Sequence, residues 1–481
     1  MSTHRPFLIS MMIVALAMCA QAQESTVPAL PDTPAGRRVA AYIQAFNSEV
    51  DSAMRAFLSG NVSPADLQQR PIDARLGVYH QMKSNLGTIE IRRVLSSDDS
   101  SVSVVIRGSS GEWRQMTFLF SQDAAKSLRG IRAEDTEPLD RGGASGPAAS
   151  APSPGTETEL VARVQSYLDG LSKSDDFSGV VAIAHAKDLV FQNACGLASK
   201  AGGLPNRENT IFNLGSINKV FTQVAIGQLL DRGLLKLDEP IVRYLPDYPN
   251  QEAAKKVTVR QLLNMTSGIG DFFGPEFAAA PKDRIRQLSD YLPFFASKPL
   301  EFEPGTSRRY SNGGYIVLGL IIQKVSGEDY YVYVRNNIFR PAGMQNSDWY
   351  SLDESVANRA TGYTRENRAA PSSSERGDNT RFLPARGSSA GGGYSTAGDL
   401  LKFSLALQSG ALRIPDFSQN EGAKRSGFPG LGIAGGSPGV NAALEIEPET
   451  GYTVIVLSNY DPPSAEKVAK QIRQWLRTVK N

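Results

Sequence analysis

The sequence predicts an α/β chain of the α+β kind, whose larger domain builds one antiparallel sheet from two distant stretches. "GVVAIAHAKDLVFQNACG" (179–196) reads as a hairpin, and "VNAALEIEPETGYTVIVLSNY" (440–460) gives two strands joined by a "PETG" turn. The patterning between them is helical. A third observation sets the domain count. "RGGASGPAASAPSPGTET" (141–158) has almost nothing to bury, which predicts a flexible linker between two domains of a 481-residue chain.

In chain order, residues 1–22 come first. A short positive start, the apolar "FLISMMIVALAMCA" and the small-residue site "AQA" predict a signal peptide cleaved after Ala22, hence a periplasmic or secreted protein. Lipidation at Cys19 is disfavoured by Met18, where such sites take a small residue. In residues 30–140, Val39, Tyr42, Ile43, Phe46, Val50, Met54, Phe57 and Leu58 follow a helical period with a turn near Asn47–Ser48. Four alternating stretches then follow, "TIEIRRVLS", "SVSVVIRG", "EWRQMTFLFS" and "LRGIRAE". This pattern predicts a small α+β cone, similar in outline to nuclear-transport-factor-two or cystatin-like domains. It is expected to be an accessory domain, for protein contact or self-association. Residues 159–481 carry the early hairpin and an amphipathic helix over 213–233. Helices over 258–269 and 313–327, the late strands and a closing amphipathic helix in "SAEKVAKQIRQWLRTV" complete the domain.

Composition excludes several classes of function. A net charge of +2 with 21% charged residues offers no basic surface for nucleic acid, and no run beyond the leader reaches membrane length. Cleavage leaves Cys195 without a disulfide partner, and its strand-to-turn setting makes it a small buried hydrophobe. His80 and His185 are too few for a closed metal ligand set, and no phosphate-binding glycine loop occurs, so no cofactor is implied.

Serine chemistry remains. "GSSAG" around Ser389 and "GGSPG" around Ser437 match a nucleophile elbow, but no histidine follows His185 to complete that triad. Lysine or tyrosine must then take the proton. S-x-x-K occurs at Ser216–Lys219 and Ser464–Lys467. The second pair begins the final helix, as an N-cap and a surface charge. The first precedes Ile217, Val220, Phe221, Val224 and Leu229, so Lys219 is expected to be desolvated and ready to accept a proton. At this spacing both side chains share a helix face, with the positive end of the helix beside the serine. Y-x-N occurs at Tyr248, in a Pro-rich turn, and at Tyr310, between two ordered segments. A cationic Lys219 beside Tyr310 is expected to lower its pKa from about 10 and make it a proton shuttle. Asn312 is expected to donate to a substrate carbonyl.

"SINK" (216–219), "YSN" (310–312), "GGGYSTAGDLLKF" (391–403) and "GIAGGSPG" (432–439), followed by two strands and "VLSNY", together resemble the serine β-lactamase and penicillin-binding-protein superfamily. The likeness is to its class C β-lactamase-like hydrolases and esterases. The resemblance implies a sheet flanked by helices plus an all-helical region, with the site in the cleft between. It makes Ser216 the acylated nucleophile, Lys219 its proton partner, and Tyr310 the general base and then the acid. Asn312 would orient the substrate, and the N–H groups of Ser216 and Gly436 would form the oxyanion hole.

The third motif of that superfamily departs here. Ile433, Ala434 and Gly435 stand where it has Lys or His, then Thr or another residue, then Gly. The cation and hydroxyl that hold a carboxylate are missing, unless Arg386, Arg413 or Arg425 replaces them. The expectation is an exported serine hydrolase of small esters or amides, with no metal, nucleic-acid or membrane-spanning partner. The alternatives are a β-lactamase or D-alanyl-peptide carboxypeptidase, and a decayed binding or regulatory module of the same fold.

Overall fold

A computed structural model describes residues 30–48, 50–69, 71–98, 100–109, 113–121, 127–135, 154–367, 375–417 and 428–479. The leader and most of the stretch 141–158 lie outside these residues. The chain divides into two compact units between Gly143 and Ala144.

In the first unit four helices, α1 (Pro34–Asn47), α2 (Asp51–Asn61), α3 (Pro64–Gln69) and α4 (Ile72–Leu86), precede four strands. These are β1 (Ile89–Ser97), β2 (Ser101–Gly108), β3 (Trp113–Phe120) and β4 (Leu128–Asp135), paired in sequence order as an antiparallel meander. Thr33 caps α1 by accepting from Gly36 N at 3.0 Å, with Pro34 opening the helix. Val39, Tyr42 and Phe46 then meet Met54, Phe57 and Leu58 of α2 and Val104, Ile106 and Phe118 of the sheet in one core. Val50 departs from its expected core position. It caps α2 outside the helix and is exposed.

The second unit contains α5 (Glu157–Lys173), β5 (Gly179–His185), β6 (Asp188–Cys195), α6 (Asn218–Asp231), α7 (Asn312–Ser326) and α8 (Ala397–Gln408). It closes with β7 (Leu431–Ser437), β8 (Val440–Glu447), β9 (Tyr452–Ser458) and α9 (Ser464–Leu476). The sheet order is β7-β8-β9-β5-β6, antiparallel throughout, so the two ends of the domain join where Val456 of β9 pairs with Val181 of β5. Alternate residues serve two cores. Val181, Ile183, Val454 and Val456 pack with α5 and α9, while Val180, Ala182, Ile455 and Leu457 face the helical region. With both faces covered, β5 and β9 are nearly unbroken apolar runs rather than alternating ones.

Three sequence expectations are corrected. The end of the predicted linker is ordered: Thr156 and Glu159 form a capping box, α5 starts at Glu157, and Thr478 Oγ1 donates to Pro154 O at 2.8 Å. The helix near 213–233 is not amphipathic. It opens as a 3₁₀ turn (Gly215–Ile217), and α6 runs through the core with Asn218, Lys219, Thr222 and Gly227 buried beside its apolar residues. The helix over 258–269 is only Val259–Leu263, because Met265 (φ +60°) and Gly268 (φ +74°) turn the chain into a loop. None of the described helices is long and apolar enough to cross a membrane.

Candidate active site

The site begins at the turn before α6. Phe212–Asn213 pairs with Tyr394–Ser395, and Asn213 Oδ1 accepts from Gly215 N at 2.9 Å. Gly215 has φ +50°, a conformation that favours glycine. The turn leaves part-exposed Ser216 at the head of α6, and one turn along Lys219 Nζ lies 3.1 Å from Ser216 Oγ.

Lys219 is 3% exposed. Its nitrogen also donates to Asn312 Oδ1 at 2.7 Å and to Ala390 O at 2.5 Å, with the rings of Tyr310 and Tyr315 centred 4.7 and 5.4 Å away. Burial pulls its pKa down to about 7, while the negative charge of Asp271 acts in the opposite sense. The aromatic faces return part of the hydration that the ammonium has lost. In the neutral amine, the two fixed carbonyl acceptors hold both N–H bonds and leave the lone pair for Ser216.

Tyr310 donates its hydroxyl to Ser216 Oγ at 2.7 Å, although about half of the residue's surface (52%) is open to solvent. Its pKa is raised, not lowered as the sequence suggested. Desolvation of the hydroxyl outweighs the hydrogen bond to Ser216, and the Asp271 charge adds to the rise. A lysine that is largely neutral above pH 7 cannot supply the expected cation. Asn312 is 8% exposed, gives its Oδ1 to Lys219, and donates Nδ2 to Asp271 Oδ2 at 2.7 Å. One amide N–H expected to face substrate is thus held by the protein.

The edge strand β7 closes the site. A Cβ on Gly435 would stand 2.1 Å from Leu214 O and 2.6 Å from Ser216 N, so only glycine lets the strand lie against the Gly215–Ser216 turn. Gly436 N is 2.8 Å from where a Cβ on Gly215 would be. Ser437 pairs with Val440 across a two-residue turn, so the ladder's alternation directs the Gly436 N–H off the free edge rather than toward β8. Ile433 is half-buried against the helical core, and Ala434 is exposed. Of the arginines considered as substitutes for the missing cation, Arg386 lies over the Tyr331 ring at 3.6 Å and donates to Trp349 O, and Arg413 pairs with Asp231. Arg425 lies outside the described residues.

The competing serines have other roles. Ser389 is fully buried and donates to Tyr315 O at 2.7 Å, while Ser464 begins α9 and donates to Ser458 Oγ at 2.9 Å. Tyr248 is buried and packed in the helical core. Two participants escaped the sequence reading. Ala390 contributes its carbonyl, which side-chain identity cannot reveal, and Asp271 lies two residues past the 258–269 stretch whose pattern predicts a helix.

The beta-lactamase family model matches residues 164–477. Penicillin-binding protein 4* of Bacillus subtilis is 30% identical over 305 residues, 60% of this chain and 65% of that protein, just under two thirds of its length. Esterase EstB of Burkholderia gladioli is 29% identical over 310 residues, 58% of this chain and 78% of that protein. Among solved structures, the D-amino acid amidase of Ochrobactrum anthropi SV3 superposes with a TM-score of 0.55 at 25% identity, covering 66% of this chain and 98% of that one.

The charge state of Lys219 makes a prediction. If the neutral amine accepts the serine proton, kcat/KM for a neutral ester rises with pH through an apparent pKa of about 7. Tyr310, with its raised pKa, stays protonated across pH 5–9 and imposes no falling limb there. Stopped-assay rates corrected for spontaneous hydrolysis check this. A limb that begins only near pH 10 would identify a tyrosinate base instead.

Proposed function

The chain belongs to the beta-lactamase family, and we propose that it is an exported serine hydrolase acting through an acyl-enzyme on small esters or amides. The observation that carries this reading is the intact proton path: Tyr310 Oη and Lys219 Nζ both contact Ser216 Oγ, and Lys219 is buried with two fixed acceptors. The relatives' names include penicillin-binding protein, esterase and D-amino acid amidase, so membership alone does not select a substrate.

In this reading Ser216 Oγ attacks the substrate carbonyl carbon and passes its proton to the lone pair of Lys219. The carbonyl oxygen takes the negative charge and accepts from the N–H groups of Ser216 and Gly436, a preorganised pair that costs no rearrangement during reaction. As the C–O or C–N bond breaks, Tyr310 gives its proton to the departing alcohol or amine and is reprotonated from the Lys219 ammonium. Water then attacks the acyl-serine along the same path in reverse. Lys219 is therefore the base, as its desolvated setting suggests, and Tyr310 the donor and relay, which departs only from the general-base role that the resemblance implies for Tyr310. A binding module with a decayed site has no need of a buried, part-neutral lysine.

Ile433 bears on substrate choice. A carboxylate seated beside it would lose water and gain no cation, costing roughly 1–3 kcal/mol. A penicillin- or D-alanyl-peptide-directed activity is favoured by one observation, the likeness to penicillin-binding protein 4*.

Two outcomes follow. A fluorophosphonate is expected to leave a single adduct on Ser216, and Ser216→Ala to lose hydrolysis by at least about a thousandfold. Adducts that map to Ser389 or Ser437 would refute the nucleophile. Separately, p-nitrophenyl butyrate is expected to exceed nitrocefin in kcat/KM by at least about a hundredfold, equivalent to about 2.7 kcal/mol. Ile433→Lys narrows that gap. A wild-type preference for nitrocefin would favour the β-lactamase alternative.

A further inference from the structure

Asp271 sits in the loop after Val259–Leu263, where the backbone is pressed against the start of α7. Ser311 Oγ donates to Gly270 O at 3.0 Å, and a Cβ on Gly313 would stand 2.3 Å from the same carbonyl. The close approach brings Asp271 Oδ2 to accept from Asn312 N at 3.1 Å and from Asn312 Nδ2 at 2.7 Å. A carboxylate only accepts, so it dictates which end of the amide turns toward it. The nitrogen goes to Asp271, and the oxygen is left for Lys219 at 2.7 Å.

We propose that Asp271 is a positioning residue of the acylation site: it locks the Asn312 amide with its carbonyl oxygen aimed at Lys219, so that the lysine nitrogen presents its lone pair to Ser216. With the amide reversed, two N–H groups would face the lysine. They would compete for that lone pair and repel the ammonium that forms as Ser216 attacks. Asp271 does this without touching substrate, and the inference rests on the acyl-enzyme reading given above.

A purely structural role is the competing explanation. Asp271 Oδ1 accepts from Phe273 N at 3.0 Å, which holds a turn, and its charge lies at the favourable N-terminal end of α7. The two roles differ in what they do to Lys219. The titratable groups around the lysine are Tyr310 and Tyr315 against its flanks and Asp271 beyond Asn312, and the Arg308 charge acts on Tyr315. Asp271 is the acid whose charge favours the Lys219 ammonium. Removing that charge and freeing the amide both disfavour the ammonium, so their effects on the pH profile have the same sign.

The test uses the full chain with p-nitrophenyl acetate, comparing wild type, Asp271→Asn and Asp271→Glu across pH 5–9. Fluorophosphonate labelling and thermal unfolding are followed in parallel. In Asp271→Asn the rising limb of kcat/KM is expected to move at least about half a pH unit lower. Plateau kcat is expected to fall about tenfold or more, with KM changed much less. Asp271→Glu is expected to return the limb toward its wild-type position. A folded, labelled Asp271→Asn enzyme whose plateau kcat stays within about twofold of wild type overturns the positioning role, whether or not its limb moves, and leaves the acyl-enzyme reading intact. Failure of wild-type Ser216 to label overturns that reading and the inference with it.

Discussion

Lys219 cannot be placed in a protein core without compensation, and the second unit supplies that compensation from three separate parts of the chain. An ammonium removed from water costs several kcal/mol unless it is paired or gives up its proton. Here its nitrogen meets Ser216 on its own helix, Asn312 at the head of α7, and the Ala390 carbonyl from the loop before α8. Each contact fixes the position of an element. The loop over Ala390 is held in turn by Trp349 Nε1 donating to Ser388 O at 2.9 Å and by Tyr331 donating to Gly387 O at 2.8 Å. α6 is gripped again one turn further along the same face, where Thr222 Oγ1 donates to Ser389 O. In the proposed mechanism a proton acceptor that works at neutral pH is thus a consequence of packing: burial draws the amine toward its balance point.

The sheet supplies the other half of the proposed chemistry by bringing bare backbone to Ser216. β7 lies at the edge, and its glycines let it approach the Gly215–Ser216 turn closer than any side chain allows. In the proposed mechanism an apolar residue at Ile433 leaves the oxyanion donor in place, because the N–H that faces the cleft belongs to the main chain. On the proposed reading, substrate choice and catalytic competence are separable: the first depends on what projects from β7, the second on where its backbone runs.

Much of this was legible in the sequence, for identifiable reasons. The hairpin near 179–196 and the late strands were visible because burial on both faces forces β-rich apolar runs, and Ser216, Lys219, Tyr310 and Asn312 stood out through spacing and order. Contributions made by the main chain were hidden, such as Ala390 O. So were those that depend on a loop's path. Asp271 could not be seen while 258–269 read as one helix, and Met265 at φ +60° is what ends it. The sense of the Tyr310 pKa was missed for a related reason: pairing it with a cationic lysine ignored that the same burial discharges the lysine. Val50 shows the limit of periodicity in the first unit, since a cap residue continues the pattern without entering the core.

Burial leaves Lys219 poised between its charged and neutral forms near neutral pH, and its own titration is the direct test. The full chain would be labelled with [¹³Cε,¹⁵Nζ]-lysine, and the Lys219 signal assigned by its loss in Lys219→Arg. The predicted result is one lysine that titrates near 7, well apart from solvent-exposed lysines at about 10.4. A Lys219 signal that stays protonated until about pH 10 would rule out lysine as the base, because an ammonium throughout the neutral range has no lone pair to receive the proton of Ser216.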